Sequence, residues 1–129
     1  MWQAIAYLHD LIEPIFHRDM KPENVLVNPS QHVKICDLGV GRFKCMSSIL
    51  ASTVSRFSNG TTLYSPPEIL FADISKDVKK KLTSKADIWS TACVTIELYS
   101  EQVVWPISNL VFDLEEHVKE VIKKNCLGL

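Results

Sequence analysis

At 129 residues the chain is one small domain, long enough to bury about two thirds of the surface its unfolded form exposes. Its 14 Lys and Arg against 15 Asp and Glu give a net charge of −1 and a pI of about 6.4, which removes any global electrostatic case for nucleic acid or a membrane as partner. The four cysteines, Cys36, Cys45, Cys93 and Cys126, form no Cys-x-x-Cys pair and have no His at zinc-ligand spacing, so they read as free thiols of a reducing cytosol or nucleus.

Ile5, Leu8 and Ile12 recur at helical spacing with Trp2 one turn earlier, which predicts a helix over Met1–Ile12 ended by Pro14. His9, Asp10 and Glu13 break this apolar stretch, and no basic segment precedes it, so neither a membrane span nor a targeting signal is expected. Next comes His17-Arg18-Asp19-Met20-Lys21-Pro22-Glu23-Asn24. Pro22 rules out a regular helix, so these polar side chains are displayed from an irregular turn that can aim several groups at one point. Asp19 can accept a hydroxyl proton, Lys21 can neutralise a phosphoryl oxygen, and Asn24 can offer its amide oxygen to a hard cation.

Val25-Leu26-Val27 and His32–Cys36 read as two short strands joined by a turn at Asn28-Pro29-Ser30. Such a hairpin would bring its two ends, Asn24 and Asp37, together as oxygen donors to one divalent cation, with Asp19 further out. Asp37-Leu38-Gly39 is followed by a Ser- and Thr-rich stretch, Val40 to Asn59, that has no sustained periodicity and reads as a loop. Gly60-Thr61-Thr62-Leu63-Tyr64-Ser65-Pro66-Pro67-Glu68 closes it. Phe71 to Leu82 is charged, includes Lys79-Lys80-Lys81, and reads as a solvated surface insertion. Ser84 is the expected N-cap of a helix, with Asp87 three residues on. Ile88 to Tyr99 is apolar nearly all round, with Trp89, Cys93 and Ile96 on one stripe and Ile88, Ala92 and Tyr99 on another, which predicts a buried helix. After Pro106, Asp113 to Lys124 reads as an amphipathic helix with Leu114, Val118, Val121 and Ile122 on its inner face and His117 at the surface.

In order, His17–Asn24, Asp37-Leu38-Gly39, Gly60–Glu68 and Asp87-Ile88-Trp89-Ser90-Thr91-Ala92-Cys93 resemble the motif series of the eukaryotic protein kinase catalytic domain, Ser/Thr type. The resemblance runs from Ala6 to about Val121. It implies a mainly α fold with a short β-hairpin, residues 1–129 forming part of the kinase C-lobe without the N-lobe or the last helices. Its parts would be the end of the pre-loop helix, the catalytic loop, the metal-binding hairpin, the activation segment, the central buried helix and one further amphipathic helix.

The resemblance also implies transfer of the γ-phosphoryl group of ATP to a protein Ser or Thr hydroxyl, with Mg²⁺. Asp19 would orient the hydroxyl as base, Lys21 would touch the transferring phosphoryl group, and Asn24 and Asp37 would be the Mg²⁺ ligands. Lys21 two residues after Asp19 favours Ser/Thr over Tyr as acceptor. Leu26 would lie under the adenine ring and Cys36 would line the floor of that pocket, with ordinary core packing as the alternative for both. Arg18, helped by Arg42, would pair with a phosphorylated activation-loop hydroxyl. Thr61 would hydrogen-bond Asp19 and Lys21, Glu68 would be buried against an Arg near the end of the complete domain, and Asp87 would hold the backbone of the His17 loop.

Leu38 stands where such kinases usually have Phe, Pro66 where they have Ala, and Ala92 where they have Gly. No Gly-x-Gly-x-x-Gly occurs, so the phosphate cover, the strand Lys and its Glu partner are expected before Met1, on an N-lobe or a partner chain. The chain by itself is therefore expected to be inactive. The reading from another class is a catalytically inactive kinase-like binding or regulatory module.

Overall fold

The computed structural model describes residues 1–38, 61–71, 83–105 and 113–127. Arg42 and the Ser/Thr-rich stretch, the insertion with Lys79–Lys81, and the Thr61 side chain lie outside the described residues.

Helix α1 spans Trp2–His9 and buries Ile5. It is shorter than the Met1–Ile12 expected from periodicity. Asp10 leaves helical geometry at ψ 0, its N–H closing on Ala6 O, and Ile15 N–H then turns back to Leu8 O at 3.0 Å. Ile12 is therefore fully exposed instead of extending the apolar stripe, and the helix stops well before Pro14.

A single 3₁₀ turn, Pro22–Asn24, leads into β1 (Val25–Val27), which pairs antiparallel with β2 (Val33–Ile35). The register sets Val25 opposite Ile35, Leu26 opposite Lys34 and Val27 opposite Val33. His32 and Cys36 lie outside β2. Asn28 folds the turn by accepting His32 N–H on Oδ1 at 2.8 Å and donating its own N–H to His32 O at 3.0 Å. Gln31 takes a positive φ of 61° to complete it.

A second 3₁₀ turn, Thr61–Tyr64, precedes the one-turn helix α2 (Pro67–Leu70), which Pro67 starts as a first-turn proline. Helix α3 (Ser84–Ser100) begins at Thr83, whose hydroxyl accepts Lys85 N–H at 3.3 Å. The N-cap is thus one residue earlier than expected, and Asp87 faces inward instead of closing a capping box. The expectation of burial on all sides also fails. Asp87, Thr91, Cys93 and Val94 are buried, but Ile88, Ile96 and Leu98 are about half exposed or more and Tyr99 is 92 % exposed.

α1 runs antiparallel to α3. Trp2 at its start donates Nε1–H to Thr95 Oγ1 at 3.1 Å, and His9 at its end meets Asp87 at 2.8 Å. Helix α4 (Leu114–Ile122) is N-capped by Asp113, whose carboxylate accepts Glu116 N–H at 3.1 Å. Helical geometry widens into a π turn over Lys123–Leu127. His117 is half-buried with interactions of its own, not a bare surface residue. Val118 and Ile122, spaced four apart, are completely buried against Tyr64, Leu70, Cys93, Val94 and Trp105. Each such side chain contributes about 1.5–3 kcal/mol of hydrophobic burial. Trp105 also donates Nε1–H to Leu63 O at 2.8 Å and stacks on Trp89 with ring centroids 6.0 Å apart. Among the described residues no helix is long and apolar enough to cross a membrane.

Candidate active site

The loop 17–24 is held from beneath by the first turn of α3. Asp87, 1 % exposed, accepts His17 N–H on Oδ2 at 2.8 Å and Arg18 N–H on Oδ1 at 2.7 Å. His9 Nε2 reaches the same Oδ2 at 2.8 Å, so three donors surround a carboxylate that water does not reach. A buried carboxylate is tolerable only when its lone pairs are engaged in this way. Immediately after the second of the two amides that Asp87 receives, Arg18 takes φ 66°, a left-handed conformation that a long side chain rarely adopts.

His17 is fully buried and uses both ring nitrogens. Nδ1 accepts Asp19 N–H at 3.3 Å, which leaves Nε2–H to donate to Cys36 O at 2.9 Å. One imidazole thereby ties the loop to the residue just before Asp37. Met20 packs fully inside while its neighbours Asp19 and Lys21 turn toward each other, with Lys21 Nζ 3.1 Å from Asp19 Oδ2. Asn24, 6 % exposed, donates Nδ2–H to Asp19 O at 2.7 Å and approaches Asp19 Oδ2 at 3.4 Å. With its amide hydrogens directed at Asp19, Asn24 keeps Oδ1 as an acceptor, and no donor among the described residues engages it.

The hairpin then brings the far end of the site back. Cys36 N–H donates to Asn24 O at 3.0 Å, so Asp37 follows directly on the strand end that abuts Asn24. Asp37 is exposed and has φ 59°, a conformation Asp tolerates better than most residues. Two hard oxygen donors at adjoining strand ends suit Mg²⁺, which binds one or two protein groups and fills its remaining positions with phosphate and water. Among the described residues no group of three or more His, Cys, Asp and Glu able to hold a metal ion occurs.

Of the remaining candidates, Leu26 is 52 % exposed, so it is not packed in a core, and Cys36 is half-buried. Arg18 lies 5.9 Å over the Phe16 ring, with Nε buried and without a partner among the described residues. Glu68 is half-buried instead of buried, which removes the burden of an unpaired carboxylate in the interior.

The residues that secure the segment after the loop carried no obvious sequence signal. Tyr64 donates its hydroxyl to Glu97 Oε2 at 2.6 Å, and Ser90 Oγ donates to Tyr64 O at 2.6 Å. Burial, followed by the Glu97 hydrogen bond and the charges of Glu97 and Glu23, pushes the Tyr64 phenol well above its ordinary value, so it stays a neutral donor. These contacts rivet Tyr64 to α3, while Trp105, past the end of that helix, holds Leu63 O.

A family model described as "Protein kinase domain" matches residues 1–126. The Serine/threonine-protein kinase fused of Drosophila melanogaster is 31 % identical over 120 residues, covering 93 % of this chain and 13 % of that protein. Human Cyclin-dependent kinase 15 is 34 % identical over 116 residues, covering 88 % of this chain and 24 % of that protein. The chain thus spans less than a quarter of the length of either relative.

Proposed function

The chain belongs to the protein kinase domain family, and from that premise we propose that it is a C-lobe segment of an intracellular Ser/Thr kinase. In the complete domain it would transfer the γ-phosphoryl group of ATP to a protein hydroxyl. Asp19 accepts and orients the substrate hydroxyl, and Lys21, already paired with that carboxylate, lies beside the transferring group and offsets its charge. Asn24 and Asp37 hold the cation that accompanies ATP, which when bound supplies charge neutralisation and phosphate alignment. Leu26 offers an exposed apolar surface for the adenine ring.

The observation that carries the reading is the knot formed by Asp19, Lys21 and Asn24, in which Asn24 gives its hydrogens to Asp19 and retains its oxygen for a ligand. The name of one relative, Serine/threonine-protein kinase fused, favours Ser/Thr chemistry. An N-lobe supplied by a longer protein or a partner chain would complete the phosphate site.

The decisive experiment follows Mg²⁺-dependent incorporation of labelled phosphate from ATP into a generic basic protein. The longer protein that carries this chain should be active, lose activity with Asp19→Asn, and far exceed the 129-residue chain alone. Activity of the longer protein that survives Asp19→Asn would overturn the assignment. A second reading, a catalytically inactive binding module, draws on the exposed Ile88, Ile96, Leu98 and Tyr99 of α3 and predicts no turnover in either form.

A further inference from the structure

The turn Thr61–Tyr64 stands beside the loop 17–24, close enough for the Glu23 charge to act on the Tyr64 phenol. Successive carbonyls of this segment are each engaged. Thr62 O closes the turn by accepting Ser65 N–H at 3.2 Å, and Tyr64 O takes the Ser90 hydroxyl at 2.6 Å. Leu63 O, between them, takes the indole N–H of Trp105 at 2.8 Å. That donor comes from beyond α3, which ends at the left-handed Glu101. Trp105 is 7 % exposed and its ring stacks on Trp89, so it is held on its face as well as at its nitrogen. The two indoles differ in one respect: Trp89 Nε1 has no partner among the described residues. An indole nitrogen only donates, so Trp105 has one polar function and Leu63 O receives it.

We propose that Trp105 is a positioning residue for the protein substrate, acting through the Leu63 carbonyl. A peptide that brings its hydroxyl to Asp19 runs past the neighbouring turn, and the indole N–H fixes where the backbone of that turn lies. Binding of the peptide therefore depends on Trp105, whereas binding of the nucleotide and its cation at Asn24 and Asp37 does not. The link to peptide binding rests on the reading of Asp19 given above; the grip on the turn does not.

Trp105→Phe keeps an aromatic ring in the stack and removes the donor. In the longer protein that carries this chain it should raise KM for a generic basic protein about three- to tenfold, as for loss of one neutral hydrogen bond, with KM for ATP and kcat within about twofold of the parent. Trp89→Phe removes an indole N–H that holds nothing and should leave these constants unchanged. Amide exchange on the 129-residue chain reads the grip without turnover. There Trp105→Phe should speed exchange at Ser65 about threefold or more and leave Val94 as in the parent, and Trp89→Phe should alter neither. The proposal is overturned by an unchanged KM for protein, by an equal rise in KM for ATP, or by exchange at Ser65 that stays as it was, rises together with Val94, or responds equally to Trp89→Phe. A longer protein without turnover in any form would count against the earlier reading and with it the link to peptide binding, while exchange at Ser65 still decides the grip on the turn.

Discussion

The first turn of α3 buries a carboxylate among amide and imidazole donors, whereas the middle of the same helix buries Cys93 and Val94 against Tyr64, Trp105 and the inner face of α4. The polar end gains direction: each donor fixes an angle, and the loop above it takes one shape. The apolar end gains free energy from area and tolerates small shifts of its partners. One helix therefore supplies both the precision of the site and most of the burial beneath it.

The sharpest way to break this contrast is Asp87→Ala, which strands two buried amides and an imidazole. It should destabilise the chain by about 4 kcal/mol in urea unfolding, in line with other broken buried networks. It should also release the His17 and Arg18 amides to exchange. Ile122→Ala, at the apolar end, should lower stability by about 3 kcal/mol through a cavity. It should leave those two amides as protected, relative to global unfolding, as in the parent. If the two variants were indistinguishable by exchange, the division between the ends would be wrong.

A smaller effect separates them by pH. Burial pushes the Cys93 thiol from its ordinary 9.0 up to about 12, mostly by desolvation. The folded form keeps this proton where the unfolded form has lost it, so its contribution is complete below pH 9 and disappears progressively between 9 and 12. Thermal melts across that range should fall, and Cys93→Ala should flatten the early part of the fall, leaving the loss above pH 10 that comes from Tyr64, whose value is also raised. The smallest effect belongs to the exposed side of α3. Tyr99→Ser should change stability by less than about 0.5 kcal/mol, and a large loss would show that Tyr99 is packed in solution.

The turn and the hairpin that carry the candidate residues were more legible in the sequence than their supports. Pro22 within a polar run announced an irregular turn, and β-branched residues on either side of Asn28-Pro29-Ser30 announced the hairpin, because both signals are local. The apolar face of α4 was equally legible from its period. Local periodicity could not reveal that α1 stops at His9, since what stops it is a return of the chain toward Asp87, 78 residues away. The same limit hid Tyr64 with Glu97 and Trp105 with Leu63, pairs that exist only once α3 is in place. The same limit applies to α3, whose apolar run predicts burial on every side although burial depends on which neighbours are there.

Arg18 sits where glycine would be comfortable. A strained backbone of this kind holds about 1–3 kcal/mol, and it persists only while its surroundings enforce it. Loosening of the grip on its amide lets the torsion relax to negative φ, and the peptide that follows must swing with it. The turn then behaves as a cocked catch, whose release sends the next carboxylate off target without any change in that carboxylate itself.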